Sequence, residues 1–225
     1  MDYILLNQPR INPDKKLYSI IKKMLDYGFS LLSLPFALPV MAICALAIHL
    51  DDPDGPIFLV QERIGKGERP FKILKFRTMK VNADNPETRA YMKAYVRGEL
   101  NSEEDETTIY KPISTDKIFR VGRFMRKTSL DELPQIINVL RGEMSIVGPR
   151  PNVPWEVEEY RPWHRERLEV LPGVTGLAQV RGRSSIEFNS LARYDIAYIE
   201  RRSLKLDLKI LYWTFLAIIK AKGAK

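Results

Sequence analysis

Cysteine and histidine are nearly missing from this chain. One cysteine, Cys44, and two histidines, His49 and His164, occur in 225 residues. A lone cysteine excludes an intrachain disulfide and fits a reducing compartment. The histidines stand far apart and join no ligand-spaced cluster, which argues against a zinc centre. The G-x-x-x-x-G-K-[ST] phosphate loop is lacking as well, since Gly65-Lys66-Gly67 does not match it, so a nucleotide kinase loses its main support. Helix-turn-helix, zinc-finger and RNA-binding signatures are equally absent, although the chain carries a formal charge of +8. That excess of cations points to acidic lipid or an anionic substrate rather than nucleic acid.

Charge is also lacking from Tyr27 to Leu50. The run is comparable with the roughly 20 apolar residues that cross a bilayer as a helix. Pro35 and Pro39 fall inside it, where each removes a backbone donor and kinks a helix. Lys15, Lys16, Lys22 and Lys23 precede the run and Lys66, Lys72, Lys75 and Arg77 follow it. Cations on both flanks oppose a simple crossing and favour a helix that enters, breaks near the prolines and returns to the same face. The run starts too late, and lacks the small-residue site, for a cleavable signal peptide.

Beyond the Asp51–Pro56 turn cluster, residues 57–60 and 71–76 read as a hairpin around Gly65-Lys66-Gly67, with Lys75 and Arg77 on one face of the second strand. Residues 82–117 are polar, and the acidic run at 98–107 within them reads as a solvated loop. Ser129-Leu130-Asp131-Glu132 matches a capping box, with Leu133, Ile136, Ile137 and Leu140 at helical spacing behind it and Gly142 as a stop. Asp131 and Glu132 are therefore expected in a first turn, where the dipole keeps Asp131 ionised as a nucleophile or metal ligand. Gly148-Pro149-Arg150-Pro151 holds a guanidinium on a stiff extended loop suited to phosphate. Residues 172–176 read as a turn, and Asp195 as a surface carboxylate on a helix. Leu204 to Ile219 mixes apolar bulk, Trp213 and lysines as an interfacial helix does.

Together Lys75-Phe76-Arg77-Thr78-Met79, Ser129 to Gln135, Met144 to Pro151, Pro172 to Val180, Gly182-Arg183 and Tyr194-Asp195 resemble the bacterial sugar transferases called monotopic phosphoglycosyl transferases, from about Tyr18 to Ile219. The resemblance implies an α+β, mostly helical fold, with one compact catalytic domain, a short β-hairpin and amphipathic interfacial helices. The expected division is an N-terminal arm at 1–16, a re-entrant membrane helix at 17–50 broken at Pro39 with Pro35 nearby, the catalytic domain at 51–202 and an interfacial helix at 203–225. Leu38 stands where some members carry serine before the break, so a side-chain hydrogen bond there is either lost or supplied by Ser33. The implied reaction moves a phosphosugar from a UDP-sugar to undecaprenyl phosphate and releases UMP. Asp131 is then the nucleophile of an aspartyl-phosphosugar intermediate and Glu132 the Mg²⁺ ligand, with Asp131 beside the metal. Lys75, Arg77, Pro149, Arg150, Gln179, Arg183 and Asp195 are expected to contact substrate. The implied location is the cytosolic face of the bacterial inner membrane, with a second copy or downstream glycosyltransferases as partners. A glycosyltransferase releasing UDP and a non-catalytic membrane scaffold are the competing readings.

Overall fold

A computed structural model describes residues 16–80, 86–100, 117–182 and 186–219 of an α+β, mostly helical protein. The first element, α1 (Lys16–Asp51), is one continuous helix of 36 residues with Pro35 and Pro39 inside it. Each proline deprives the carbonyl four residues earlier, Leu31 or Pro35, of its donor. The Ser33 hydroxyl relieves neither, because it donates to the Ser30 carbonyl at 2.9 Å. A buried stripe of Asp26, Ser30, Ala37, Met41, Cys44 and Ile48 at helical spacing continues across both prolines. The opposite face, with Leu32, Phe36 and Ile43, is exposed, and the helix is long and apolar enough to cross a membrane.

Both ends of α1 are tied to the rest of the fold. Near its start, Tyr18 and Lys22 donate to Asp207 at 2.8 and 3.1 Å, and Asp26 accepts from the Ser145 hydroxyl at 2.7 Å. At its end, Asp51 accepts from the Val121 N–H at 2.7 Å and Asp52 pairs with Arg77. Met41, Cys44 and Ile48 pack between these ties against Phe76, Phe119 and Met125.

The expected hairpin is present as β1 (Phe58–Ile64) and β2 (Pro70–Phe76), antiparallel with Leu59 opposite Lys75 and Arg63 opposite Phe71. Gly67, at φ 64°, and Glu68, at φ 61°, supply the left-handed turn between them. The outer edge of β2 is closed by Asn138, which accepts from the Leu74 N–H at 3.0 Å and donates to the Lys72 carbonyl at 2.8 Å. The loop expected over 82–117 contains a helix, α2 (Pro86–Arg97). Proline at its first position is preorganised for a helix, and Tyr95 and Val96 bury against Val157, Tyr160 and Phe188, which outweighs the polar composition. Most of the acidic run lies outside the described residues.

Next come α3 (Arg120–Thr128), a 3₁₀ turn at Leu130–Glu132 and α4 (Gln135–Leu140). Residues 172–176, expected as a turn, instead hold a strand. β3 (Ser145–Val147) and β4 (Gly173–Thr175) pair in parallel, stitched by Ser145 N–H to the Pro172 carbonyl and Gly148 N–H to the Thr175 carbonyl, both 2.8 Å. Short α5 (Pro154–Val157), a 3₁₀ stretch at Pro162–Leu168 and α6 (Leu177–Arg181) lead to α7 (Phe188–Arg201) and α8 (Leu204–Ile219). α8 buries Asp207 and Ile210 and leaves Leu208, Tyr212, Phe215 and Ile219 exposed, an amphipathic division that fits an interfacial helix.

Candidate active site

The Ser129-to-Gln135 segment does not form the expected capping box. Ser129 makes no side-chain cap; it adopts a left-handed conformation, φ 59°, and closes α3 with its N–H directed at the Met125 and Arg126 carbonyls. A non-glycine residue there reverses the chain at the cost of about 1 kcal/mol. The reversal starts the 3₁₀ turn that carries Asp131 and Glu132, so the two carboxylates do stand in a first turn, but one of different origin.

Glu132 is the hub of the site. Its Oε1 accepts from Lys75 Nζ at 2.9 Å and from Arg150 Nη1 at 3.0 Å. These contacts unite three distant sequence blocks: the hairpin, the 3₁₀ turn and the Pro-Arg-Pro loop. Burial alone would raise the Glu132 carboxyl, but the charges and hydrogen bonds of Lys75 and Arg150 prevail and hold it far below the ordinary range. Lys75 is pushed down to about 8, chiefly by burial, with Arg150 and Arg63 adding repulsion against the pull of Glu132. One carboxylate serves two paired cations, Lys75 and Arg150.

Asp131 behaves differently from its neighbour. It makes no hydrogen bond among the described residues, and its carboxyl is raised, first by burial and then by Glu132, against the pull of Lys75, Arg150 and Arg126. The expected helix dipole does not lower it; a single short 3₁₀ turn offsets neither burial nor an adjacent carboxylate. An unpaired carboxylate with raised basicity keeps its lone pairs for attack.

The Arg150 loop is positioned from beneath. The Gly173 N–H donates to the Pro149 carbonyl at 2.8 Å, and a Cβ on Gly173 would collide with the Gly148 backbone. Pro149 is buried and stiffens the loop from inside the fold. Arg167, fully buried, donates to the Arg150 carbonyl at 3.1 Å, to Asn152 Oδ1 and the Tyr160 hydroxyl at 2.6 Å each, and to Asp195 Oδ2 at 2.5 and 3.0 Å.

That network corrects several expectations. Asp195 is no surface carboxylate: it is 1% exposed and paired with Arg167 inside the fold. Arg77 lies past the end of β2 and is consumed by Asp52 and the Pro56 and Asp52 carbonyls, so the same-face alternation with Lys75 stops at Phe76. Gln179 donates to the Val174 carbonyl at 3.2 Å, on β4. Arg183 lies outside the described residues. Pro35 and Pro39 sit in α1, away from these contacts.

Three residues to which the motif reading gave no role belong to the site. Arg126 feels the Asp131 charge and is held by the Thr78 hydroxyl at 2.9 Å. Arg63 and Gln135 line a narrow cleft with Lys75, Arg150, Pro151 and Gly173. Hairpin register could have found Arg63, since the alternation that turns Ile73 and Lys75 inward does the same for Gln61 and Arg63. No sequence signal marks Arg126.

Asp131 and Glu132 fit a magnesium ion of the kind shared with substrate phosphates. Glu132 Oε2 and the Asp131 carboxylate carry no hydrogen bond among the described residues, and Mg²⁺ commonly takes only one or two protein carboxylates when phosphates and waters complete its shell.

A model of the family described as bacterial sugar transferase matches residues 17–221. A Caulobacter vibrioides protein named UDP-glucose:undecaprenyl-phosphate glucose-1-phosphate transferase is 38% identical over 224 residues, covering 96% of this chain and 74% of that protein. The exopolysaccharide production protein ExoY of Sinorhizobium fredii is 35% identical over 205 residues, covering 91% of this chain and 88% of ExoY. The galactosyl transferase CpsE of Streptococcus agalactiae is 35% identical over 212 residues, 94% of this chain but 45% of CpsE. The chain thus spans just under half the length of some curated relatives it matches.

Proposed function

We propose, from the premise that the chain belongs to the bacterial sugar transferase family, that it transfers a phosphosugar from a UDP-sugar to undecaprenyl phosphate and releases UMP. The observation that carries the reading is the unpaired Asp131 carboxylate beside a Glu132 clamped by Lys75 and Arg150. Such a site holds a strong nucleophile next to cations that suit a diphosphate. The relatives named for glucose-1-phosphate, galactose and N-acetylgalactosamine phosphate transfer to undecaprenyl phosphate have the same substrate classes.

In this mechanism an Asp131 oxygen attacks the sugar-bearing phosphorus, and the bond from that phosphorus to the UMP oxygen breaks. Lys75 and Arg150 neutralise charge on the phosphoryl oxygens. A phosphate oxygen of the lipid then attacks the same phosphorus and frees Asp131, so one carboxylate serves both halves. Bound Mg²⁺ would supply further charge neutralisation, with Glu132 and Asp131 to hold it. Arg167 maintains the register of Arg150 from below.

The membrane reading rests on the ends of α1. A straight 36-residue helix spans about 54 Å. If it crossed a bilayer, one end would be carried away from a catalytic unit confined to one face, yet both ends bond to that unit. A re-entrant path in one leaflet keeps both attachments and sets Asp131 at headgroup depth on the cytosolic side. The products then begin assembly of a surface polysaccharide or glycan.

The test is nucleotide release by nanodisc-reconstituted protein supplied with Mg²⁺, undecaprenyl phosphate and a panel of UDP-sugars. UMP release that requires the lipid and disappears in Asp131→Asn is expected. UDP release, or undiminished turnover by the variant, would overturn the covalent transfer.

A further inference from the structure

Each of the last three helices turns a pair of residues one turn apart toward a common hollow. On α6 and α7 the pair is apolar then cationic, Leu177 with Arg181 and Ala197 with Arg201; on α8 it is Lys205 with Lys209. The hollow is an open cavity of about 200 Å³, several times the roughly 30 Å³ share of one water molecule. Leu177 and Ala197 are buried in its floor, and Leu206 continues it. Trp213 makes a wall, with the Arg181 guanidinium 4.9 Å from its ring centroid. No carboxylate among the described residues lines the cavity. Asp207, the one acid of α8, is turned away to accept from Tyr18, Lys22 and Tyr198. Ser203 accepts from the Leu206 N–H at 3.3 Å, which leaves its own proton to donate.

Four cations, a hydroxyl donor and an apolar floor suit a ligand that is anionic at one end and apolar at the other. A soluble phosphate would give up hydration against Leu177 and Leu206 for nothing in return. By helical spacing, Lys205 and Lys209 stand between the cavity side of α8, with Leu206 and Trp213, and its exposed face of Leu208, Tyr212, Phe215 and Ile219. Lysines on such a border lay their stems on apolar surface and lift the ammonium to headgroup level. We propose that this cavity binds the phosphodiester headgroup of an anionic membrane phospholipid, whose acyl chains leave over the exposed face of α8. The ligand is a bilayer lipid and not the acceptor that must reach Asp131, because no lining residue belongs to the Lys75, Glu132 and Arg150 cluster. The proposal needs α8 at a membrane surface and is independent of the transfer chemistry.

The probe is phosphatidylglycerol brominated on its acyl chains, which quenches tryptophan fluorescence on contact. The full chain is reconstituted in phosphatidylcholine nanodiscs containing increasing fractions of that lipid, with brominated phosphatidylcholine as the reference. Wild type is expected to be quenched more by phosphatidylglycerol. Trp213→Phe should lose that excess, since Trp155 lies on α5 and Trp163 packs on the Tyr160 and Phe188 core. Lys205→Gln with Lys209→Gln, both exposed, should weaken the preference roughly 25-fold, about 5-fold for each lysine at an anionic surface. The same charge change at Lys16 and Lys23 on α1 should leave the preference in place. Equal quenching by the two lipids, or an excess that survives in Trp213→Phe, overturns the site. So does an equal loss from the α1 pair, which would show diffuse surface charge. Displacement of the brominated lipid by undecaprenyl phosphate but not by unbrominated phosphatidylglycerol gives the cavity to the acceptor and overturns the proposal as well. No readout here uses nucleotide release, so the lipid site and the transferase reading stand or fall separately.

Discussion

Asp131 and Glu132 are adjacent carboxylates whose surroundings drive them apart. Glu132 gains two cations at hydrogen-bond distance, while Asp131 gains burial and a negative neighbour. Half-buried and without a hydrogen-bond partner among the described residues, the Asp131 charge should cost the ligand-free protein stability. Asp131→Asn is expected to raise the Tm near pH 7 by 2–4 °C, corresponding to roughly 1 kcal/mol for a chain of this size. The sign follows from linkage. A carboxyl whose folded pKa lies above its unfolded value binds protons better in the folded state, so the native protein regains that stability as pH falls through the folded pKa and then the unfolded one. The advantage of Asp131→Asn should therefore shrink as the pH is lowered toward 4. Calorimetric scans of both proteins from pH 7 to 4 test this; a variant less stable than wild type at pH 7, or an advantage growing in acid, refutes an unpaired, partly desolvated carboxylate.

At the scale of elements, the site depends on how the Pro-Arg-Pro loop is held between β3, β4 and α7. Arg167 bridges Asp195 on α7 to the Arg150 carbonyl, with both charged side chains almost fully buried. Removing one partner of such a pair leaves an uncompensated buried charge. Asp195→Ala should cost roughly 3–5 kcal/mol in urea unfolding and lower turnover by loosening Arg150. A substrate contact would instead raise KM with the unfolding midpoint unchanged, and that outcome would return Asp195 to the substrate. The same elements show what the sequence could carry. Asp195 does lie on a helix as expected, and the hairpin and α4 were legible because strand alternation and helical spacing specify them. Helix α2 was not, because its stability comes from Tyr95 and Val96 packing on Val157 and Phe188, contacts between segments far apart in the chain. Nor was the parallel β3–β4 pair, where two three-residue strands join across a long connection. Ser129 misled for a related reason: S-x-x-E describes a helix start, whereas here the serine ends the preceding helix in a left-handed turn. Arg77 followed the alternation of β2 in the sequence, but the strand ends one residue before it.

For the whole molecule, the central question is where a long apolar helix goes when both of its ends are held by one folded unit. Its buried stripe runs from Asp26 to Ile48, while Leu32, Phe36 and Ile43 face outward. Lipid is the medium in which such a face costs least, and the proposed one-leaflet path would leave the Tyr18–Asp207 and Asp51–Val121 bonds intact together. Cys44 is the sole native thiol, so Cys44→Ser gives a clean background for single cysteines at Lys23, Phe36 and Asp54. With a membrane-impermeant maleimide, positions 23 and 54 should both label in inverted inner-membrane vesicles and neither in right-side-out ones, while position 36 stays protected in both. A crossing helix would label 23 and 54 from opposite sides. That result would also require one set of end contacts to break in the membrane, because Asp207 and Val121 belong to the same folded unit.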